Sequence, residues 1–167
     1  ESRLWGEEFR DGDFYRYSSG LVTTWYPMQV NDQKYSLATV DIEGFTFNVS
    51  LTTDVLTVES VDLGFDTFEA YQLRYVVRIW GYGLDIQTTF YHWWVPYLGF
   101  VKYQDQGNLE VLTDFVIEGG AISQDTDTDS DGLKDYEELI KYNTDRLDSD
   151  SDDDGQPDGQ DNCPVVA

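Results

Sequence analysis

Apolar and polar residues alternate strictly in two stretches of the chain. Phe45, Phe47, Val49 and Leu51 alternate with Thr46, Asn48 and Ser50. Tyr71, Leu73, Tyr75, Val77 and Ile79 alternate with Gln72, Arg74, Val76, Arg78 and Trp80. A period of two puts successive side chains on opposite faces, so both stretches read as half-buried antiparallel strands. Residues 13–18, 21–26, 34–40, 55–61, 84–95, 98–103 and 109–117 are further strand candidates. Turn signals separate them at Asn31-Asp32, Gly64, Gly81-Tyr82-Gly83, Pro96 and Gln106-Gly107-Asn108. Many short strands with no helical stretch between them predict a mainly β, antiparallel sandwich or half-barrel.

The pattern changes near residue 120, where Gly119-Gly120 marks a joint. Of the 26 aromatic residues, 24 lie in residues 1–122. Residues 123–167 hold 15 acidic and 3 basic residues, a net charge of −12. The first region, 1–122, has the side chains to build a core. The second, 123–167, does not, and needs another source of order. The whole chain of 167 residues carries −23, which argues against nucleic acid or an anionic membrane as a partner. One Cys and one His exclude a disulfide scaffold and a Cys/His zinc site. The longest mostly apolar stretch, Phe90 to Val101, contains His92 and Pro96 and is too short for a membrane span. The chain opens at Glu1 without a basic, apolar leader, as expected of a mature or trimmed secreted chain.

The acidic region contains two copies of a twelve-residue calcium loop. In the first, Asp127, Asp129 and Asp131 take positions 1, 3 and 5, Gly132 position 6, Asp135 position 9 and Glu138 position 12. The second starts 23 residues later, with Asp150, Asp152, Asp154, Gly155, Asp158 and Asp161 at the same positions. Calcium takes six to eight hard oxygen ligands, and alternate carboxylates on a tight loop converge on one point. Leu133 and Gln156, at position 7, are expected to add backbone carbonyls. Two calcium ions are therefore expected. Registers starting at Asp125 or Asp148 put Ser130 or Asp153 where Gly belongs. Between the loops, Leu133, Tyr136, Leu139 and Ile140 share one face at helical spacing, with Lys141 in the last turn and Asn143 placed to cap it. One short helix is expected there.

The run Asp127-Thr128-Asp129-Ser130-Asp131-Gly132-Leu133-Lys134-Asp135 and the closing Asp161-Asn162-Cys163-Pro164 resemble the thrombospondin type 3 repeat and its bacterial relatives. An EF-hand places its buried aliphatic at position 8, whereas Leu133 sits at 7 and Lys134 at 8. The stretch Tyr142 to Asp148 looks like the connector of the bacterial members, with Arg146 in place of Pro. The resemblance implies an extracellular, calcium-ordered spacer or adhesive segment. Two further stretches, Val55 to Tyr71 and Tyr91 to Tyr103, resemble in outline a family of secreted bacterial β-domains with half-barrel sheets. They depart from its pattern at Asp66, where Gly is usual, and at Leu98. That resemblance implies no particular activity.

Nothing in the sequence assembles a catalytic site. A nucleophile needs a base within hydrogen-bond reach. The one His, His92, lies in an aromatic strand and reads as a packed or surface residue. Cys163 sits in an acidic setting that disfavours a thiolate, and is free or bonded to another chain. Asn48-Val49-Ser50 is a glycosylation sequon whose Asn the alternation points outward. The chain reads as a secreted, non-enzymatic calcium-binding protein. Its expected role is that of a structural subunit of an extracellular assembly or fibre, through self-association or another extracellular protein. The alternative is a monomeric adhesive or ligand-binding module of the cell surface.

Overall fold

A computed structural model describes residues 2–4, 16–17, 21–24, 27–117 and 122–166, with side chains for 27–115 and 122–166. Eleven strands run in chain order among these residues: β1 (Ser2–Leu4), β2 (Arg16–Tyr17), β3 (Leu21–Thr24), β4 (Gln33–Ile42), β5 (Phe45–Asp62), β6 (Thr67–Gly81), β7 (Leu84–Val95), β8 (Gly99–Gln104), β9 (Leu109–Val111), β10 (Val116–Ile117) and β11 (Ile122–Ser123). A single turn of α-helix, α1 (Asp135–Glu137), continues directly into a wider π-type turn, Glu138–Tyr142. The fold is mainly β and antiparallel, as expected. The joint at Gly119-Gly120 and most of the strand candidate at 13–18 lie outside the described residues.

Seven strands form one sheet in the order β2-β4-β5-β6-β7-β8-β9. From β4 to β9 each strand pairs with its sequence neighbour, so short turns suffice. Two of those turns, Glu43-Gly44 and Tyr82-Gly83, have positive φ at both residues, 50° and 85° in each case. That geometry follows the right-handed strand twist, and a Gly at the second place makes it accessible.

Strands expected separately at 45–51 and 55–61 form one long strand, β5. The connection between them is a bulge and not a turn. Val55 pairs with Leu73 and Thr57 with Gln72, leaving Leu56 as the extra residue. Before the bulge, Val49, Leu51 and Val55 face the same side as Leu73 and Tyr75. After it, Val61 faces the opposite side with Phe68. One odd-numbered apolar series thus serves both faces of the sheet, because a single extra residue reverses the pleat. The candidate strand at 109–117 is broken instead. The Leu112 N–H still meets the Val101 carbonyl at 2.8 Å, in register with the β8–β9 pairing, and the break follows it, where the Phe115 N–H takes the Asp114 carboxylate at 2.8 Å.

Two cores follow, one on each face. The first packs Met28, Ala38, Val40, Val49, Leu51, Val55, Leu73 and Tyr75. The second packs Val61, Leu63, Phe68, Ala70, Trp93, Val95 and Val101 beneath Phe115, Ile122 and Tyr136, with Leu139 and Ile140 against its rim. The acidic segment therefore supplies part of the cover of this second face. Tyr136 is 2% exposed, and its ring centroid lies 6.0 Å from Phe68 and 5.4 Å from Phe115. Its hydroxyl donates to the Asp66 carboxylate at 3.0 Å, and the Lys141 ammonium meets the same carboxylate at 2.5 Å. Lys141, expected to complement the helix end, instead anchors the segment to the sheet. Asn143 does end the turn, in the left-handed conformation with φ 59°.

His92 is packed. Its ring centroid lies 4.5 to 5.4 Å from those of Phe100, Tyr75, Tyr103 and Phe90, and its Nδ1 has no partner. Burial lowers its pKa from 6.5 to about 4. The folded state keeps His92 neutral where the unfolded chain takes up a proton. Stability is therefore full above the unfolded pKa and falls as pH drops from 6.5 toward 4. A His92→Phe variant keeps the ring packing. Denaturant titration across that pH range is expected to show a shallower loss of stability for the variant than for the parent.

Candidate metal centre

The two acidic loops share their backbone conformation at positions 4 and 6. Position 6 has positive φ in both, 108° at Gly132 and 94° at Gly155. A Cβ at either glycine would meet nothing within 4 Å, so backbone conformation and not space requires glycine there. Position 4 is also left-handed in both, at Ser130 (φ 65°) and Asp153 (φ 60°).

Loop amides hold the acidic side chains in place. The N–H of Leu133 donates to Asp131 at 2.7 Å, and that of Gln156 donates to Asp154 at 2.9 Å, the same pair of positions in each loop. Asp127 accepts from Ser130 N–H at 2.8 Å, and Asp129 from Asp131 N–H at 3.3 Å. Asp150 accepts from Asp154 and Gly155, and Asp152 from Asp154. Such turns orient a carboxylate at little entropic cost once the loop has closed.

Position 9 has a structural task that the spacing alone did not reveal. Both oxygens of Asp135 are engaged by Thr128, one by its N–H at 2.8 Å and one by its hydroxyl at 2.7 Å. Asp158 receives the same two bonds from Ser151, at 2.9 and 2.7 Å. Each position-9 carboxylate thereby ties off its own loop at position 2. A hydroxyl residue at position 2 of both copies was the available signal. Asp135 also lies 3.6 Å from the Arg146 guanidinium.

The remaining acids converge. Asp127, Asp129 and Asp131 bring carboxylate oxygens within 4.8 Å of one another, as do Asp150, Asp152 and Asp154. A third trio, Asp131, Glu138 and Asp158, meets the same limit and draws on both loops. Its members are 7%, 0% and 3% exposed. Asp135 and Asp161 fall outside all three trios.

Buried oxygens without a partner recur at matching positions. They are Asp129 Oδ2 and Asp152 Oδ2 at position 3, and Glu138 Oε2 and Asp161 Oδ2 at position 12. A buried carboxylate oxygen without a hydrogen bond is costly, more so beside other carboxylates. Burial, with the nearby charges of Asp129, Asp131 and Asp135, raises the pKa of Glu138 to about 7, although Thr144 donates to its other oxygen at 3.1 Å. Asp129 and Asp152 are shifted upward by burial and then by their acidic neighbours. A divalent cation would satisfy these oxygens and cancel the repulsion together. The donor set consists only of hard oxygens, which suits calcium or magnesium and not a soft metal.

No protein-family model, curated protein or solved structure matches this chain. Among the described residues, no helix is long and apolar enough to cross a membrane. Asn48 is exposed, with its amide 3.5 Å from the Trp80 carbonyl. Cys163 is free and exposed in the monomer.

Proposed function

We propose that residues 123–167 bind calcium, one ion in each loop, and that the bound ions fasten this segment over the second core of the sheet. The observation that carries this is the recurrence of buried, partnerless oxygens at positions 3 and 12 of both loops. Each loop triad would supply three carboxylates, and Glu138 or Asp161 would close the shell. Leu133 and Gln156 would add their carbonyls. Magnesium is disfavoured by its demand for tight octahedral geometry and its reluctance to shed water.

The protein's proposed role is structural, as a secreted subunit of an extracellular assembly rather than an enzyme. An extracellular setting, where calcium is plentiful, would keep such loops loaded. Support for assembly comes from exposed aromatics at one end of the sheet. Phe45 (55% exposed) and Tyr82 (72% exposed) meet edge to face at 5.4 Å and offer an apolar contact surface. Repulsion between chains of net charge −23 must be overcome for copies to meet, and bound calcium reduces it.

Calorimetric titration of the full chain with calcium tests the first part. Asp129→Asn and Asp152→Asn are each expected to lower the stoichiometry by one ion. Unchanged stoichiometry in both would refute loop binding. Sedimentation velocity in calcium, in chelator and in added NaCl tests the second part. Calcium is expected to promote association well beyond the effect of salt. A single monomer boundary at high concentration in all three conditions favours the monomeric adhesive module.

A further inference from the structure

The two loops approach each other closely at Gly159. A Cβ placed on Gly159 would lie 2.8 Å from the Asp131 carbonyl oxygen and 3.1 Å from the Leu133 nitrogen. The Gly159 N–H donates to Asp131 Oδ2 at 3.1 Å. The backbone of the second loop thus rests against the sixth-position turn of the first. This contact carries Asp158, the residue before Gly159, to the acids of the first loop.

Three buried carboxylates meet there. Each basic residue of the segment has a carboxylate partner elsewhere: Lys134 with Asp125, Lys141 with Asp66 and Arg146 with Asp135. Burying three like charges within 4.8 Å of one another is untenable without protons or a cation. A second sign is Glu138, which also stands at position 12 of the first loop. The residue is fully buried, Thr144 occupies its Oε1, and its Oε2 has no partner. Asp131 and Asp158 keep their hydrogen bonds to loop groups, so each is held in place with lone pairs to spare.

Building on the calcium reading above, we propose that Asp131, Glu138 and Asp158 form a third cation site at the junction of the two loops, beyond the two loop ions. Asp131 and Glu138 would each bridge this ion and that of the first loop. The site exists only while the loops are docked. Its ion would therefore make binding in the two loops mutually dependent, since each loop ion helps to hold the geometry that the junction ion needs.

Gly159→Ala separates this proposal from simple loop binding, because it removes no carboxylate. Gly159 does not have a positive φ, so alanine is tolerated by the backbone and only the approach of the loops is disturbed. Native mass spectrometry of the full chain, titrated with calcium alone, reads the stoichiometry directly. The parent is expected to hold three ions and Gly159→Ala two. Asp158→Asn should also lose the junction ion. A parent that holds two ions, with Gly159→Ala unchanged at two, overturns the junction site and leaves the loop ions standing. A parent that holds none overturns the calcium reading itself.

Discussion

Mutual repulsion of buried carboxylates is the constraint on which the rest of this structure depends. Asp131, Asp135, Glu138 and Asp158 are all buried in a segment of net charge −12. Hydrogen bonds from loop amides and hydroxyls orient these groups but do not neutralise them. Such a concentration of negative charge is relieved by protons or by bound cations. The segment has three basic side chains, and each reaches a carboxylate outside the junction trio. On the reading proposed above, a bound cation completes the segment.

The consequence extends into the sheet. Tyr136 lies between Asp135 and the π-type turn that begins at Glu138, so the loop's own acids flank the ring that covers Phe68 and Phe115. The wide turn lets neighbouring residues serve different neighbours. Glu138 turns to the acids, while Leu139 and Ile140 reach the sheet. Such π-type irregularities are frequent at functional sites. Asp66 receives both Tyr136 and Lys141, and the paired contacts lower its pKa despite partial burial. Anything that loosens the loops thereby exposes one of the two cores of the protein.

Much of this was legible in the sequence, and the parts that were not have identifiable causes. Period-two alternation located most of β6, at 71–80, because that strand keeps one unbroken register along its pairing with β7. It failed at β5, where Leu56 is inserted without any Gly or Pro to announce it, so a reversal of the pleat looked like a strand boundary. The twelve-residue spacing located the trios at 127–131 and 150–154, because alternate acids and a positive-φ glycine are local requirements. It could not reveal that Asp158 meets Asp131 and Glu138, since that depends on one loop packing on the other. Gly159 was the available clue, a glycine that no turn requires. Asp66 read as a departure from a family pattern, and its partners Tyr136 and Lys141 lie 70 and 75 residues away. No local rule connects positions so far apart.

The central claim is that cations hold the acidic segment in its folded place over the sheet. Amide hydrogen exchange on the full chain, in saturating calcium and in chelator, tests it most directly. The account predicts that chelation abolishes protection across residues 127–161 and also raises exchange around Phe68, Val101 and Phe115, while the β4–β5 pairing around Val49 and Leu51 stays protected. Equal protection of residues 127–161 in calcium and in chelator would contradict it.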